Sequence, residues 1–131
     1  RFFAYVSSMY HKCEIVINET IPGKSGKNHK LPIAVKQNGM YIAVGFNKPN
    51  GHAVSKKDIK KFYEIVNDVK NGDHGTQLVD AIFGSSSGFK VEGLVELEKL
   101  IKMRGDTPEN KLNFKTANFE NRIYSVTKIL D

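Results

Sequence analysis

The 131-residue sequence predicts one α+β domain built on a mostly antiparallel sheet. Three observations carry that prediction. Asn38-Gly39 separates two apolar runs and is the favoured pair for a type I′ hairpin turn. Ser55, with Asp58 three residues on, opens an apolar stripe at helical spacing. Residues 112–116 and 122–130 are rich in β-branched and aromatic side chains and read as two closing strands.

The elements follow in order. Phe2, Phe3, Val6, Met9, Tyr10 and Cys13 recur at helical spacing and predict an N-terminal helix. Residues 13–17 read as a short buried strand. Residues 20–30 hold Pro22, Gly23, Ser25, Gly26 and Asn28 and read as a loop. In the hairpin of residues 31–46, Met40, Ile42, Val44 and Phe46 are expected on one face, with Tyr41, Ala43 and Gly45 on the other. Residues 47–54 form a second loop. Three helices are then expected in the second half. The first carries Ile59, Phe62, Tyr63, Val66 and Val69 inward; the second, capped by Thr76, carries Leu78, Val79, Ile82 and Phe83. The third spans residues 91–103, with Leu94, Leu97, Leu100 and Ile101 inward and Gly105 at its end. The closing strands are expected to return to the hairpin.

Forty per cent hydrophobic and ten per cent aromatic residues supply a core and exclude wholesale disorder. No apolar run approaches the roughly 20 residues that cross a bilayer, so no membrane insertion is expected. Cys13 is the one cysteine, which rules out an intramolecular disulfide and a multi-cysteine metal site. Residues 1–131 read as a single domain cut from a longer polypeptide, since the chain opens on Arg1-Phe2-Phe3.

The net charge of +6 is unevenly placed. Residues 1–57 hold nine Lys/Arg against two acids, Glu14 and Glu19, whereas the remainder holds eleven against twelve. No carboxylate occurs from Thr20 to Lys57. A polyanion ligand is the reading this supports, against the bland alternative of a lysine-rich solvated surface. Lys24, Lys27 and Lys30, with Lys36, Lys48, Lys57 and Lys60, are the candidate nucleic-acid contacts. Loop lysines beside glycines suit phosphate backbones, and Lys24–Lys30 is expected to share one positive surface with Lys56, Lys57 and Lys60.

Asn18-Glu-Thr-Ile-Pro-Gly23-Lys24-Ser25 ends like a phosphate-binding loop, but it lacks the first glycine and does not open a helix. His52 precedes a helix N-terminus, where free N–H groups attract anions. Cleavage of RNA without metal needs a base, an acid and a cation for the phosphorane. His52, His29 and Lys56 are the candidates for those roles, with Ser55, Thr116 and Tyr124 in support. No cofactor and no metal are expected. A weaker alternative places Mg²⁺ among Asp73, His74, Glu14, Glu19 and Asp80.

The basic charge, the leading helix, His52, Lys56, Thr116 and Tyr124 together resemble the nuclease domains of bacterial contact-dependent and polymorphic toxins, the barnase/EndoU/colicin/RelE class. The resemblance covers the chain in outline and matches no specific motif. It implies a metal-independent ribonuclease acting on tRNA or rRNA in the cytoplasm, delivered from a secreted carrier, with an acidic immunity protein as partner. Two other readings stand beside it: a non-catalytic RNA- or DNA-binding module, and a protein-interaction domain facing an acidic partner.

Overall fold

The computed structural model describes residues 1–49 and 51–120. It has the order α1 (Phe2–Met9), β1 (Glu14–Pro22), β2 (Asn28–Gln37), β3 (Met40–Lys48), α2 (Lys56–Asn71), β4 (Asp80–Ser85), α3 (Val91–Arg104) and β5 (Asn113–Asn118). The strands form one sheet in the order β1-β2-β3-β4-β5. β1, β2 and β3 pair antiparallel, and β4 and β5 join parallel to β3. The class is α+β, as the sequence predicts. No helix among the described residues is long and apolar enough to cross a membrane.

Both faces of the sheet are covered. Phe2 and Val6 of α1 pack on Ile33, Val35, Ala43, Ile82 and Ala117. On the other face Ile59, Phe62, Val66 and Val69 of α2, with Leu97 of α3, cover Leu31, Ala34, Val44, Ala81 and Phe83. The hairpin turns at Asn38 and Gly39, whose φ of 54° and 78° are those a type I′ turn requires. Ser55 and Asp58 complete the expected capping box at the start of α2. Gly105 closes α3 in the left-handed conformation.

Several expectations are corrected. The second half holds two α-helices and a single 3₁₀ turn (Pro108–Asn110), because residues 80–85 form β4 and not a helix. A parallel strand buried on both faces is a continuous apolar run, which helical spacing imitates over so short a stretch. The loop expected over residues 20–30 shrinks to a turn, since β1 extends to Pro22 and β2 starts at Asn28. Simple alternation along β3 fails at Ile42, the extra residue where the register shifts from Val35↔Ala43 to Lys36↔Tyr41. Tyr41 thus shares the α2 face with Val44 and Phe46, while Ile42 joins the α1 face. On α3, Leu94 and Ile101 are exposed, and Gly93, Glu96 and Leu97 form the buried side. The strand at residues 113–118 pairs with β4 instead of the hairpin. The strand expected at residues 122–130 lies outside the described residues.

Candidate nucleic-acid interface

The sheet splits at one end. The β2–β3 ladder stops at Ile33↔Gly45, yet β2 stays paired to β1 as far as Asn28, and β3 to β4 as far as Lys48. At the point of separation stands Pro32, which has no N–H to give a neighbouring strand. The β1–β2 register places Asn18 opposite it, at a left-handed φ of 55°. Beyond this level, residues 19–31 form a two-stranded arm that leaves β3. The arm packs on the C-terminal half of α2 through Ile21 and Leu31, which bury themselves in the same cluster as Val66 and Val69.

A cleft of about 340 Å³ lies between the arm, β3 and α2. Pro32, Phe46, Phe62, Ile65 and Phe83 make it apolar, and Lys30, Lys61 and Asp58 give it a charged rim. Asp58, Lys61, Ile65 and Asp68 recur at spacings of three and four residues, so they share one flank of α2. Lys48 Nζ stands 2.5 Å from Asp58 Oδ2. Burial raises the Asp58 carboxyl, but the hydrogen bonds from Lys48 and Ser55 outweigh it and hold the group below its ordinary value. That carboxylate is charged and engaged, which leaves it unsuited to act as a base.

Asp68 fastens the tip of the arm. Its Oδ2 accepts from Ser25 Oγ at 2.6 Å and lies 2.7 Å from His29 Nε2; its Oδ1 accepts from the Ser25 amide at 2.9 Å. The Lys24 amide donates to the Asp68 carbonyl at 2.9 Å. Gly23 permits this approach, since a Cβ there would fall 2.1 Å from Asp68 Oδ2. The Ser25 and His29 hydrogen bonds hold the Asp68 carboxyl down at about 2. Serine, aspartate and histidine meet here, but the carboxylate stands between the other two. The Ser25 hydroxyl donates to Asp68, so no imidazole takes its proton, and the cluster is a latch rather than an activated nucleophile.

The expected catalytic set is not brought together. His29 belongs to this latch. His52 is exposed in the segment before Ser55, where the Gly51 amide donates to Ser87 Oγ and the Val54 amide to the Gly88 carbonyl. Asp68 lies thirteen residues beyond Ser55 on α2, roughly 20 Å along the axis. Lys56 faces α3 and lies 3.8 Å from the carboxylate of the buried Glu96. Ser55 is occupied as the helix cap. Thr116 is exposed on β5 at the sheet edge, and Tyr124 lies outside the described residues. For the Mg²⁺ alternative, no three His, Cys, Asp or Glu side chains converge among the described residues.

The candidate phosphate contacts divide more favourably. Lys36 lies six residues from Lys30 along β2, roughly 20 Å away, and its ammonium is 3.7 Å from Glu19. Lys48 is paired to Asp58. Lys24 and Lys27 stand exposed on the turn of the arm, Lys30 on its cleft side, and Lys57 and Lys60 on the first turns of α2. Among the described residues no carboxylate lies within 4 Å of any of these five. The same holds for Lys61, which the sequence reading passed over. Its signal was available: Lys61 is four residues from Lys57 on a helix whose start is lysine-rich. Asp68, the counter-charge of the arm, gave no comparable signal, because nothing in the sequence ties it to Ser25 and His29.

No protein-family model matches the chain, and no curated protein matches it. A solved structure does share its fold: the crystal structure of AF1548, a protein of unknown function, aligns over 90% of this chain with a TM-score of 0.61 and 13% identity. The chain spans about 55% of the length of that protein.

Proposed function

We propose that this chain is a nucleic-acid-binding module that grips the phosphate backbone without cutting it. The observation that carries the reading is the set of six lysines, Lys24, Lys27, Lys30, Lys57, Lys60 and Lys61, placed on the arm and on α2 with no carboxylate within 4 Å of them among the described residues. Lysines so placed exchange condensed counterions for phosphates, which is the main sequence-independent source of affinity. The ribonuclease reading asks more. It needs two proton carriers on one phosphate, and His29 is engaged by Asp68 toward the other end of α2 from His52.

The test is binding of the pure domain to tRNA and to duplex DNA in EDTA, at several salt concentrations, with the nucleic acid inspected for cleavage. Affinity should fall steeply with salt. Each of Lys24→Ala, Lys27→Ala and Lys61→Ala should flatten that dependence by nearly one unit of slope. The His52→Ala variant should bind as the parent does. RNA cleavage in EDTA that disappears in His52→Ala would restore the ribonuclease. Salt-independent binding, or none, would overturn the module.

A further inference from the structure

We infer that the cleft between the arm and β3 is a pocket for one unstacked nucleobase, which makes the domain selective for single-stranded over duplex nucleic acid. The inference rests on the nucleic-acid reading above and adds a site and a ligand class to it. The lysines alone explain attraction to any phosphate backbone. They do not explain why the sheet opens between two of its central strands, or why the opening is apolar.

The walls fit a flat aromatic ring better than a phosphate. Phe46 is half-buried on β3, and its ring is braced edge-on by Phe62, with centroids 5.0 Å apart. Phe62 is braced in turn by Phe83, again at 5.0 Å. Such a stack holds Phe46 in place with part of it turned to the cleft. Pro32 on the arm and Ile65 on α2 are the other partly exposed apolar groups. The volume of about 340 Å³ suits a small ligand more than a duplex, whose bases are already stacked. Polar groups stand at the rim. Lys30 and Lys61 come from opposite walls and are free among the described residues to meet the phosphates either side of an inserted base. Asp58 is held by Lys48 and Ser55, so it does not point a free negative charge at them. Aromatic stacking accepts any base, so the pocket should show little sequence preference.

The experiment compares a short unstructured pyrimidine strand with a blunt GC duplex of equal length, under matched salt, for the parent chain, Phe46→Leu and Lys30→Ala. The parent should bind the single strand more tightly. Phe46→Leu keeps apolar volume but removes the ring, and should cut the single-strand to duplex affinity ratio roughly tenfold with the salt slope unchanged. Lys30→Ala should lower the slope. A second measurement on the unsubstituted chain guards against a folding defect. Uridine 5′-monophosphate, at millimolar concentration, should shift the NMR signals of the Phe46 ring and the Ile65 methyls. Equal affinity for both nucleic acids in the parent, an unchanged ratio in a folded Phe46→Leu, or no shifts with the nucleotide would overturn the pocket. If the lysine variants still respond in that case, phosphate binding stands and only the pocket fails; if they do not, both fail.

Discussion

Two walls of the cleft, β3 and the arm, are held in different ways. The β3 wall is part of a continuous ladder with β4 and is backed by Phe62 and Phe83. The arm has left that ladder at Pro32. It is fastened by two buried aliphatic side chains, Ile21 and Leu31, by the partly exposed polar latch at Asp68 on its tip, and at its base by Glu19, which accepts from the Tyr41 hydroxyl. One wall shares the fate of the whole fold, and the other can be loosened on its own. The width of the cleft is therefore a property of the arm, and substitutions on the two sides should separate global from local stability.

The largest effect is expected on the β3 side. Phe62 is 1% exposed and touches Phe46, Phe83 and Phe114, so Phe62→Ala should cost roughly 3–5 kcal/mol in chemical denaturation. A loss below about 1 kcal/mol would mean that the core relaxes around the missing ring.

On the arm, Leu31→Ala should cost less, roughly 2–3 kcal/mol, because β2 can part from α2 locally. Hydrogen exchange checks this directly: amides of residues 19–31 should lose protection before those of β4. Uniform loss across the sheet would erase the distinction between the walls.

A smaller and more local effect is expected from Asp68→Asn. The carboxylate accepts from the Ser25 amide, the Ser25 hydroxyl and His29, whereas an amide offers one oxygen and turns an NH₂ toward the remaining donors. Exchange at Lys24 and Ser25 should quicken while the melting temperature barely moves. A melting temperature that drops as far as in Leu31→Ala would make the latch part of the core.

The latch should also answer to acid. Asp68 is held at about 2, below its ordinary 3.8, so its carboxylate favours the folded arm. That contribution is complete above the ordinary value and is lost as pH falls from there through about 2. Exchange at Lys24 and Ser25, corrected for intrinsic rates, should rise over that interval in the parent and stay flat in Asp68→Asn.

Much of this was legible from residue types alone. Asn38-Gly39 dictates its turn, and Ser55 with Asp58 dictates the start of α2, because both act over three or four residues. Residues 80–85 were not legible, since Ile82 and Phe83 beside Leu78 and Val79 satisfy a helical stripe and a doubly buried strand equally. The charge pattern misled for a related reason. A 38-residue stretch without acids invites a uniformly positive face, but Lys36, Lys48 and Lys56 find Glu19, Asp58 and Glu96, all of which lie outside the stretch. Distance along the chain says little about such pairings. The cleft was invisible because it arises from a ladder that stops, and no single residue announces that. Pro32 was the nearest hint.

The mixed pairing of the sheet bears on the order of assembly. The β2–β3 hairpin closes across two residues, Asn38 and Gly39, whereas the β3–β4 ladder closes over the 31 residues between Lys48 and Asp80. The longer closure costs about 2 kcal/mol more chain entropy before any contact compensates it. Part of that loop is α2, which shortens the distance once it has formed and docked. The antiparallel half should thus assemble first, α2 should follow, and the parallel strands should come last. During that interval the edge of β3 that will receive β4 is open to solvent and to other chains, which makes it the point where refolding at high concentration would go astray.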